Sequence, residues 1–117
     1  LPACNELAIG FVPFFPLASG ALTGKYRRGQ GAPAGSRLAL ERFGGTGHLD
    51  FDQIEAFERF AAERGHTLLE LAIAAIASTP GVSGVIAGAT SPSQVAANAA
   101  AADWKLDAAE LAAIPTG

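Results

Sequence analysis

The chain has 117 residues, a length that suits one domain and is too short for two. Half of its residues are hydrophobic and 16% are charged, whereas soluble domains typically carry about 25% charged residues. This apolar bias predicts faces that are covered by further protein. The net charge of −3 and the pI of about 5.2 exclude a dedicated nucleic-acid-binding domain, because such domains usually carry a clear basic excess.

The cysteine count and the N-terminus exclude further classes of protein. Cys4 is the single cysteine, so the chain has no disulfide framework, and a reducing, cytoplasmic location is predicted. No apolar run reaches about 18 residues and no signal-peptide pattern opens the chain, so no membrane association is predicted. The chain begins at Leu1 and contains no methionine, which predicts that the native N-terminus lies upstream.

The first elements are a helix end and a strand. Leu1, Cys4 and Leu7 recur at helical spacing, with Cys4 as a small buried residue, and Gly10 ends this pattern. Residues 9–15 are apolar and rich in β-branched and aromatic side chains, which predicts a strand buried on both faces of a parallel sheet. Pro13 lies within this strand and weakens the pattern.

Residues 16–48, here called the Gly-rich segment, show no periodicity and hold eight of the fourteen glycines. Loops longer than about 15 residues are uncommon in compact domains, so this one predicts either a functional loop or missing structure. The segment contains five basic residues and one acidic residue, Glu41. The basic cluster is interpreted either as an ordinary solvated loop or as an electropositive lid over an anionic ligand; its members are Lys25, Arg27, Arg28, Arg37 and Arg42.

Four cap patterns predict the remaining helices. Asp50 with Gln53 begins a helix whose apolar stripe comprises Ile54, Phe57, Phe60 and Ala61, and Gly65 ends it. Thr67 and Glu70 form a capping box for a second helix that is apolar nearly all round, with Leu68, Leu69, Leu71, Ile73 and Ile76. Pro80 and Gly81 end it, and residues 82–87 predict a second strand. Ser91-Pro92 with Gln94 begins a third helix, and Asp107 with Glu110 begins a short last one.

Strands that alternate with helices predict an α/β fold with parallel pairing, because parallel neighbours need a crossover connection. Two strands cannot cover the helices and leave both sheet edges unpaired. The segment is therefore expected to pair with further strands from a missing part of the chain.

Two segments that follow the strands are candidate sites. Gly20 to Lys25 lacks the spacing of a phosphate loop and its hydroxyl residue, so a Walker A site is excluded, but it is Gly-rich and follows a strand end. Ser91, Gln94 and Asn98 share one face at the start of a helix, where backbone N–H groups favour an anion. A capped surface helix with a polar stripe is the alternative. Together the two segments favour a nucleotide ligand.

Catalytic groups are scarce in this sequence. His48 and His66 have no carboxylate, serine or second histidine at a recognisable spacing, and both are predicted to be structural. No metal site is predicted.

The residues from Phe11 to Tyr26, Phe-Val-Pro-Phe-Phe-Pro-Leu-Ala-Ser-Gly-Ala-Leu-Thr-Gly-Lys-Tyr, resemble the aldo-keto reductases around their seventh barrel strand. Residues 81–98 are similar to the eighth strand of that family and the helix after it. The two stretches follow the family's order and spacing, and the resemblance covers nearly the whole chain.

The resemblance implies a (β/α)8 TIM barrel that reduces aldehydes or ketones by hydride transfer from a nicotinamide cofactor, usually NADPH. Residues 1–117 would be the C-terminal portion of that single domain, about two β/α units plus the C-terminal helices, without a second domain. The family's catalytic residues come from earlier strands, so none is assigned here.

By the same resemblance, the cofactor contacts fall into two groups. Phe14 would stack on the nicotinamide with Phe15 beside it, and the pyrophosphate segment would comprise Pro16, Leu17, Ser19 and Gly20, with Lys25 added. The adenosine end would be held by Gly88, Ala89, Thr90, Ser91, Gln94 and Asn98. Some relatives have Lys and Arg at the positions of Gly88 and Gln94 and a Glu at Ala97. These charged groups are missing here. NADP(H) is still favoured over NAD(H), but the two cofactors are expected to be discriminated less strongly than in those relatives.

The implied partners are the cofactor, a small carbonyl substrate and the missing N-terminal half of the barrel. Two alternatives stay open. One is a non-catalytic nucleotide-binding or regulatory barrel relative, of the kind found among ion-channel partners. The other is a nonfunctional truncation, which would expose apolar surface and aggregate.

Overall fold

The computed structural model describes residues 1–116. Five α-helices are present in these residues: α1 Pro2–Glu6, α2 Phe51–Ala62, α3 Leu68–Ala77, α4 Pro92–Ala101 and α5 Ala108–Ala113. Short 3₁₀ turns cover Ala18–Thr23, Arg37–Ala39 and Glu41–Phe43. Each predicted helix is confirmed, although α1 ends at Glu6, two residues before the predicted end at residue 8. Among the helices of residues 1–116, none is long and apolar enough to cross a membrane.

The helix starts follow from the cap residues in the sequence. The Asp50 side chain accepts from the Gln53 backbone N–H at 3.0 Å, and Ser91 accepts from that of Gln94 at 3.3 Å. Thr67 and Asp107 each open a complete capping box. Because these bonds satisfy N–H groups that a helix start leaves unpaired, they set where α2 to α5 begin.

The core lies between α2, α3 and the C-terminal residues. Its larger cluster comprises Phe60, Ala61, Leu71, Ala74 and Leu106, with Trp104 packed against it. The Ser78 hydroxyl accepts from the Leu106 backbone N–H at 3.0 Å, and the Gln53 amide donates to the Pro115 carbonyl at 2.9 Å. The chain after α4 is thereby fixed against α2 and α3.

Residues 9–15 and 82–87 lie side by side in parallel, as predicted, but they form less sheet than expected. Pairing is confined to two isolated parallel bridges, Phe11 with Val82 and Phe14 with Ile86. The predicted burial on both faces is wrong, since the Phe14 side chain is 79% exposed. Two causes account for this: neither segment has another strand beside it in residues 1–116, and Pro13 has no N–H for a ladder.

Cys4 is half-buried rather than buried. No residue of α1 is buried. Asn5 lies against Gly81, whose φ is +91°, and this contact leaves no room for a side chain at that position.

His66 has the carboxylate partner that the sequence analysis did not find. Its Nδ1 lies 3.1 Å from Glu70 Oε2, one helical turn away, and its ring stacks on Trp104 with centroids 3.8 Å apart and planes 8° apart. The pKa of Glu70 is lowered, first because the Thr67 backbone N–H donates to its carboxylate and further because His66 adjoins it. The start of α3 is thus joined to the segment before α5.

We expect Glu70→Gln to weaken the acid sensitivity of the protein. The pKa of a glutamate in an unfolded chain is about 4.3. Because the pKa of Glu70 is lower in the folded protein, its charge stabilises the fold fully at pH values above the unfolded pKa. This contribution disappears as the pH falls through the folded pKa. Glutamine keeps an acceptor for the Thr67 N–H but removes the charge.

Urea unfolding at pH 7 and pH 3 measures the effect, with Glu63→Gln as a control of the same charge change on a side chain that is 74% exposed. The loss of stability between the two pH values should be smaller in Glu70→Gln than in the control. Equal losses would contradict the role assigned to the Glu70 charge.

Candidate functional site

The parallel pairing brings the two predicted site segments to one edge. Phe14 and Ile86 are bridged, so residues 15–20 and 88–91 both leave the carboxyl end of the pair. In α/β folds ligands bind outside the carboxyl ends of the strands. The structure therefore places the two groups of predicted contacts on the same side of the molecule.

The backbone of the first segment turns sharply through a conformation that side chains disfavour. Phe15, Ala18 and Ser19 have φ values of 67°, 46° and 59°, and they precede Gly20 at 91°. Left-handed non-glycine residues are uncommon and cluster at functional sites, where surrounding contacts hold them in place. Here the contact is Ala21, which packs with Ile54 and Leu68 in the second buried cluster. The turn is therefore anchored on α2 and α3.

Two aromatic rings stand at the start of this turn. Phe14 and Phe15 are both exposed, and their ring centroids lie 6.5 Å apart with planes at 58°. Pro16, the next residue along the chain, is buried, and Leu17 and Ser19 are half-buried. An exposed phenyl face beside a strand end is suited to stack on a planar heteroaromatic ring.

The second segment is shaped by the side chains that were predicted to share a helix face. Gln94 Oε1 accepts from the Thr90 backbone N–H at 2.7 Å and from its hydroxyl at 3.0 Å. The Asn98 amide donates to the Gly88 carbonyl at 3.3 Å. Residues 88–91 are thereby bound to α4, and the Gln94 side-chain NH₂ remains as a donor.

Helix α4 contains no charged side chain. Any anion at its start would meet backbone N–H groups, the Ser91 hydroxyl and the helix dipole, all of them uncharged donors. This arrangement suits a phosphate ester without a paired cation on the helix itself.

The Gly-rich segment is folded, contrary to the prediction of a loop without structure. Tyr26 is 1% exposed and its hydroxyl accepts from the Leu38 backbone N–H at 3.2 Å. Both residues are buried together with Ser36. The sequence carried no periodic signal for this packing, because it rests on one aromatic ring and a bond between residues twelve positions apart.

Two of the five basic residues in this segment are paired with α2. Arg27 donates to Glu58 at 2.7 Å, and Arg28 donates to Glu55 at 3.0 Å and also to Asp52. The pKa values of both arginines are raised by these bonds, and that of Glu55 is lowered by Arg28. For these two residues the structure favours an anchored surface loop over a lid with free charge.

Two cavities in residues 1–116 lie largely away from this edge. One of about 410 Å³ lies between α3, α4 and residues 82–87, and Asn98 is its only lining residue from the predicted site. A second cavity of about 380 Å³ adjoins His66 and Trp104, and its lining includes no residue of the predicted site. In residues 1–116 no group of three histidine, cysteine or acidic side chains is placed to hold a metal ion. The predicted site is an open edge.

The chain is similar to known proteins over nearly its whole length. The family model described as the aldo/keto reductase family matches residues 1–116. A probable voltage-gated potassium channel subunit beta from Arabidopsis thaliana is 42% identical over 108 residues, and one from Oryza sativa subsp. japonica is 40% identical over 108 residues. Each alignment covers 88% of this chain and 33% of the relative.

A putative subunit of the same name from Schizosaccharomyces pombe is 34% identical over 111 residues, which is 89% of this chain and 32% of the relative. The chain thus spans about a third of the length of the curated relatives it matches.

We expect Glu55→Gln to loosen the Gly-rich segment, because it removes a charged partner of Arg28. Limited digestion by trypsin, which cleaves after Arg27 and Arg28, should proceed about two- to threefold faster at low salt, the size expected for an exposed ion pair. The difference should shrink at high salt. Glu6→Gln on α1 is the control, and equal digestion rates of the two variants at low salt would refute the anchoring role.

Proposed function

Because the chain belongs to the aldo/keto reductase family, we propose that it is the C-terminal, cofactor-binding part of a NAD(P)H-dependent oxidoreductase. The family reduces aldehydes and ketones by hydride transfer from a nicotinamide cofactor. The observation that supports the proposal best is the common edge: the bridge from Phe14 to Ile86 places both predicted contact segments at one strand end. The chain would supply the seventh and eighth β/α units of a TIM barrel.

The residues at this edge fit a dinucleotide in three parts. The exposed Phe14 ring offers a stacking face for the nicotinamide, with Phe15 beside it. The left-handed turn at Ser19 and Gly20 allows the backbone after Pro16 and Leu17 to approach the pyrophosphate, near Lys25. The adenosine end would lie against Gly88, Ala89, Thr90, Ser91, Gln94 and Asn98. The Thr90 N–H and the Asn98 amide donate within this group and shape it, and the Gln94 NH₂ is an uncharged donor for the ligand.

In this proposal the chain orients the cofactor, whose nicotinamide ring supplies the hydride when bound. The catalytic acid and the residues that assist it belong to earlier strands of the full-length polypeptide. NADP(H) is preferred over NAD(H), because the Ser91 and Gln94 donors can hydrogen-bond a 2′-phosphate. The preference is modest, since α4 provides no cation. A cytoplasmic location and a small carbonyl substrate belong to the same proposal.

The proposed partner of this chain is the rest of the barrel. Apart from the two rings assigned to the cofactor, large apolar side chains are exposed along the paired segments, namely Ile9, Phe11, Val12 and Ile86. Exposed apolar surface of this extent marks an interface. The upstream two thirds of a polypeptide as long as the relatives would cover it with neighbouring strands.

A second candidate function is that of a regulatory subunit which binds the cofactor without turning it over. The names of the three relatives, each a probable or putative subunit beta of a voltage-gated potassium channel, favour it. The two candidates make the same prediction for cofactor binding and opposite ones for turnover of aldehydes.

We expect Gln94→Ala and Asn98→Ala each to weaken NADPH binding by about 1–3 kcal/mol, because each leaves polar groups of the 88–91 loop unpaired. Titration calorimetry of the full-length protein measures this. Val95→Ala, which shortens an exposed apolar side chain between these two residues on α4, is the matched control. Affinities equal to that of Val95→Ala would refute the assignment of α4 to the cofactor.

We expect an intact mass about three times 11.8 kDa for the polypeptide from its natural source, because this chain covers 33% of the length of its relatives. NADPH oxidation with a panel of aldehydes then separates the candidates: turnover supports the reductase, and binding without turnover supports the regulatory subunit. A mass near that of this chain, with aggregation and binding of a hydrophobic dye, would instead support a nonfunctional truncation.

A further inference from the structure

The Lys25 side chain lies directly on the turn at Gly20. A Cβ built at Gly20 would lie 3.0 Å from Lys25 Cε and 3.2 Å from Nζ, which is tighter than ordinary contact. Gly20 also has a φ of +91°, which side chains rarely adopt. The absence of a side chain at Gly20 is therefore what allows the Lys25 ammonium group to reach the turn.

A short network of bonds holds Lys25 in this position. The Thr23 hydroxyl donates to the Gly20 carbonyl at 2.7 Å, and the Lys25 backbone N–H donates to the Thr23 hydroxyl at 3.5 Å. The Lys25 Nζ lies 5.7 Å from the centroid of the Tyr26 ring, within the range of a cation–π contact. The same ring reaches Gly20, since Tyr26 Cε2 would be 3.5 Å from a Cβ there.

The Tyr26 ring is the rigid member of this group. It is 1% exposed, and its hydroxyl is bound to the Leu38 N–H. Lys25 itself is exposed, and in the described part of the chain it takes part in none of the ion pairs formed by Arg27, Arg28, Arg64 and His66. A lysine without a carboxylate partner is therefore held over the turn by an aromatic surface, with its charge available to a ligand.

We propose that Tyr26 is a positioning residue: its buried ring holds the Lys25 ammonium group over Gly20, where it receives the pyrophosphate of the cofactor. The inference rests on the proposed function. A free lysine loses much side-chain freedom when a ligand fixes it, and this loss opposes binding. Tyr26 restricts the lysine beforehand, so the affinity for the anionic ligand is higher than the charge of Lys25 alone would give.

The experiment measures the Kd for NADPH of the full-length protein with three substitutions. Tyr26→Leu removes the ring under Lys25 and should raise the Kd about tenfold. Tyr26→Phe keeps the ring and loses only the bond to Leu38, so it should lower the melting temperature while the Kd stays within twofold. Phe60→Leu, an aromatic-to-leucine change at a buried position in the other cluster, is the control for lost stability and should leave the Kd unchanged.

Lys25→Gln tests whether Tyr26 acts through the lysine. In the Lys25→Gln background, Tyr26→Leu should raise the Kd no further, because the group that it positions is gone. Where Tyr26→Leu fails to fold, Tyr26→Met removes the ring while keeping a long, flexible apolar side chain at the buried position, again with no added effect once Lys25 is replaced. Equal Kd values for Tyr26→Leu and wild type, additive effects with Lys25→Gln, or a Tyr26→Phe Kd as high as that of Tyr26→Leu would each overturn the inference.

The outcomes separate this inference from the proposed function. If the wild-type protein binds neither NADPH nor NADH, the proposed function fails and the inference fails with it. If the wild type binds and Gln94→Ala weakens binding while Tyr26→Leu does not, only the role of Tyr26 is overturned.

Discussion

Three backbone hydrogen bonds align the two halves of this chain. The Phe11 N–H donates to the Gly81 carbonyl at 3.0 Å, the Ser83 N–H to that of Phe11 at 2.8 Å and the Ile86 N–H to that of Pro13 at 3.0 Å. Since side chains alternate between faces, a slip of one segment by one residue would turn its side chains to the opposite face, so that Phe14 and Ile86 would no longer share one. The register of these bonds therefore decides whether the turn after Phe14 and the loop before α4 share an edge.

The helices support this register from outside. Ala21 packs on Ile54 and Leu68, so the turn is anchored to α2 and α3. Ion pairs of Arg27 and Arg28 fix the Gly-rich segment to the exposed side of α2. The apolar sides of the paired segments, in contrast, remain open. Within residues 1–116 the candidate site is thus supported by α2 and α3, whereas the apolar side chains of the paired segments are exposed. This agrees with a chain that spans a third of the length of its relatives.

The parts of this structure that the sequence predicted are those with local causes. The caps at Asp50, Thr67, Ser91 and Asp107 need only neighbours three residues away, and all four are confirmed. The strands were overpredicted, because a β-ladder depends on neighbouring strands and the apolar pattern of residues 9–15 was taken to imply them.

For the candidate site, the rule of carboxyl ends predicted that both segments follow strand ends, and helical spacing predicted that Gln94 and Asn98 share a face of α4. Their bonds to the 88–91 loop were not predicted. The burial of Tyr26, the pairing of Arg28 with Glu55 and the stacking of His66 on Trp104 were not predictable, since each joins residues that the chain brings together only after folding. The left-handed backbone at Phe15 and Ser19 could not be predicted either, because in a sequence such a conformation is expected at glycine and these residues carry side chains.

The order of the elements also has a consequence for how the molecule assembles. Helices α2 and α3 are neighbours in sequence and can pack early, whereas the bridge from Phe11 to Val82 closes a loop of about 70 residues and bears the corresponding entropy cost. The edge that carries the site is therefore expected to form last and to open first when the native state fluctuates. A ligand that spans both segments would close this loop and slow the hydrogen exchange of the Phe11, Ser83 and Ile86 amides far more than that of the α2–α3 core.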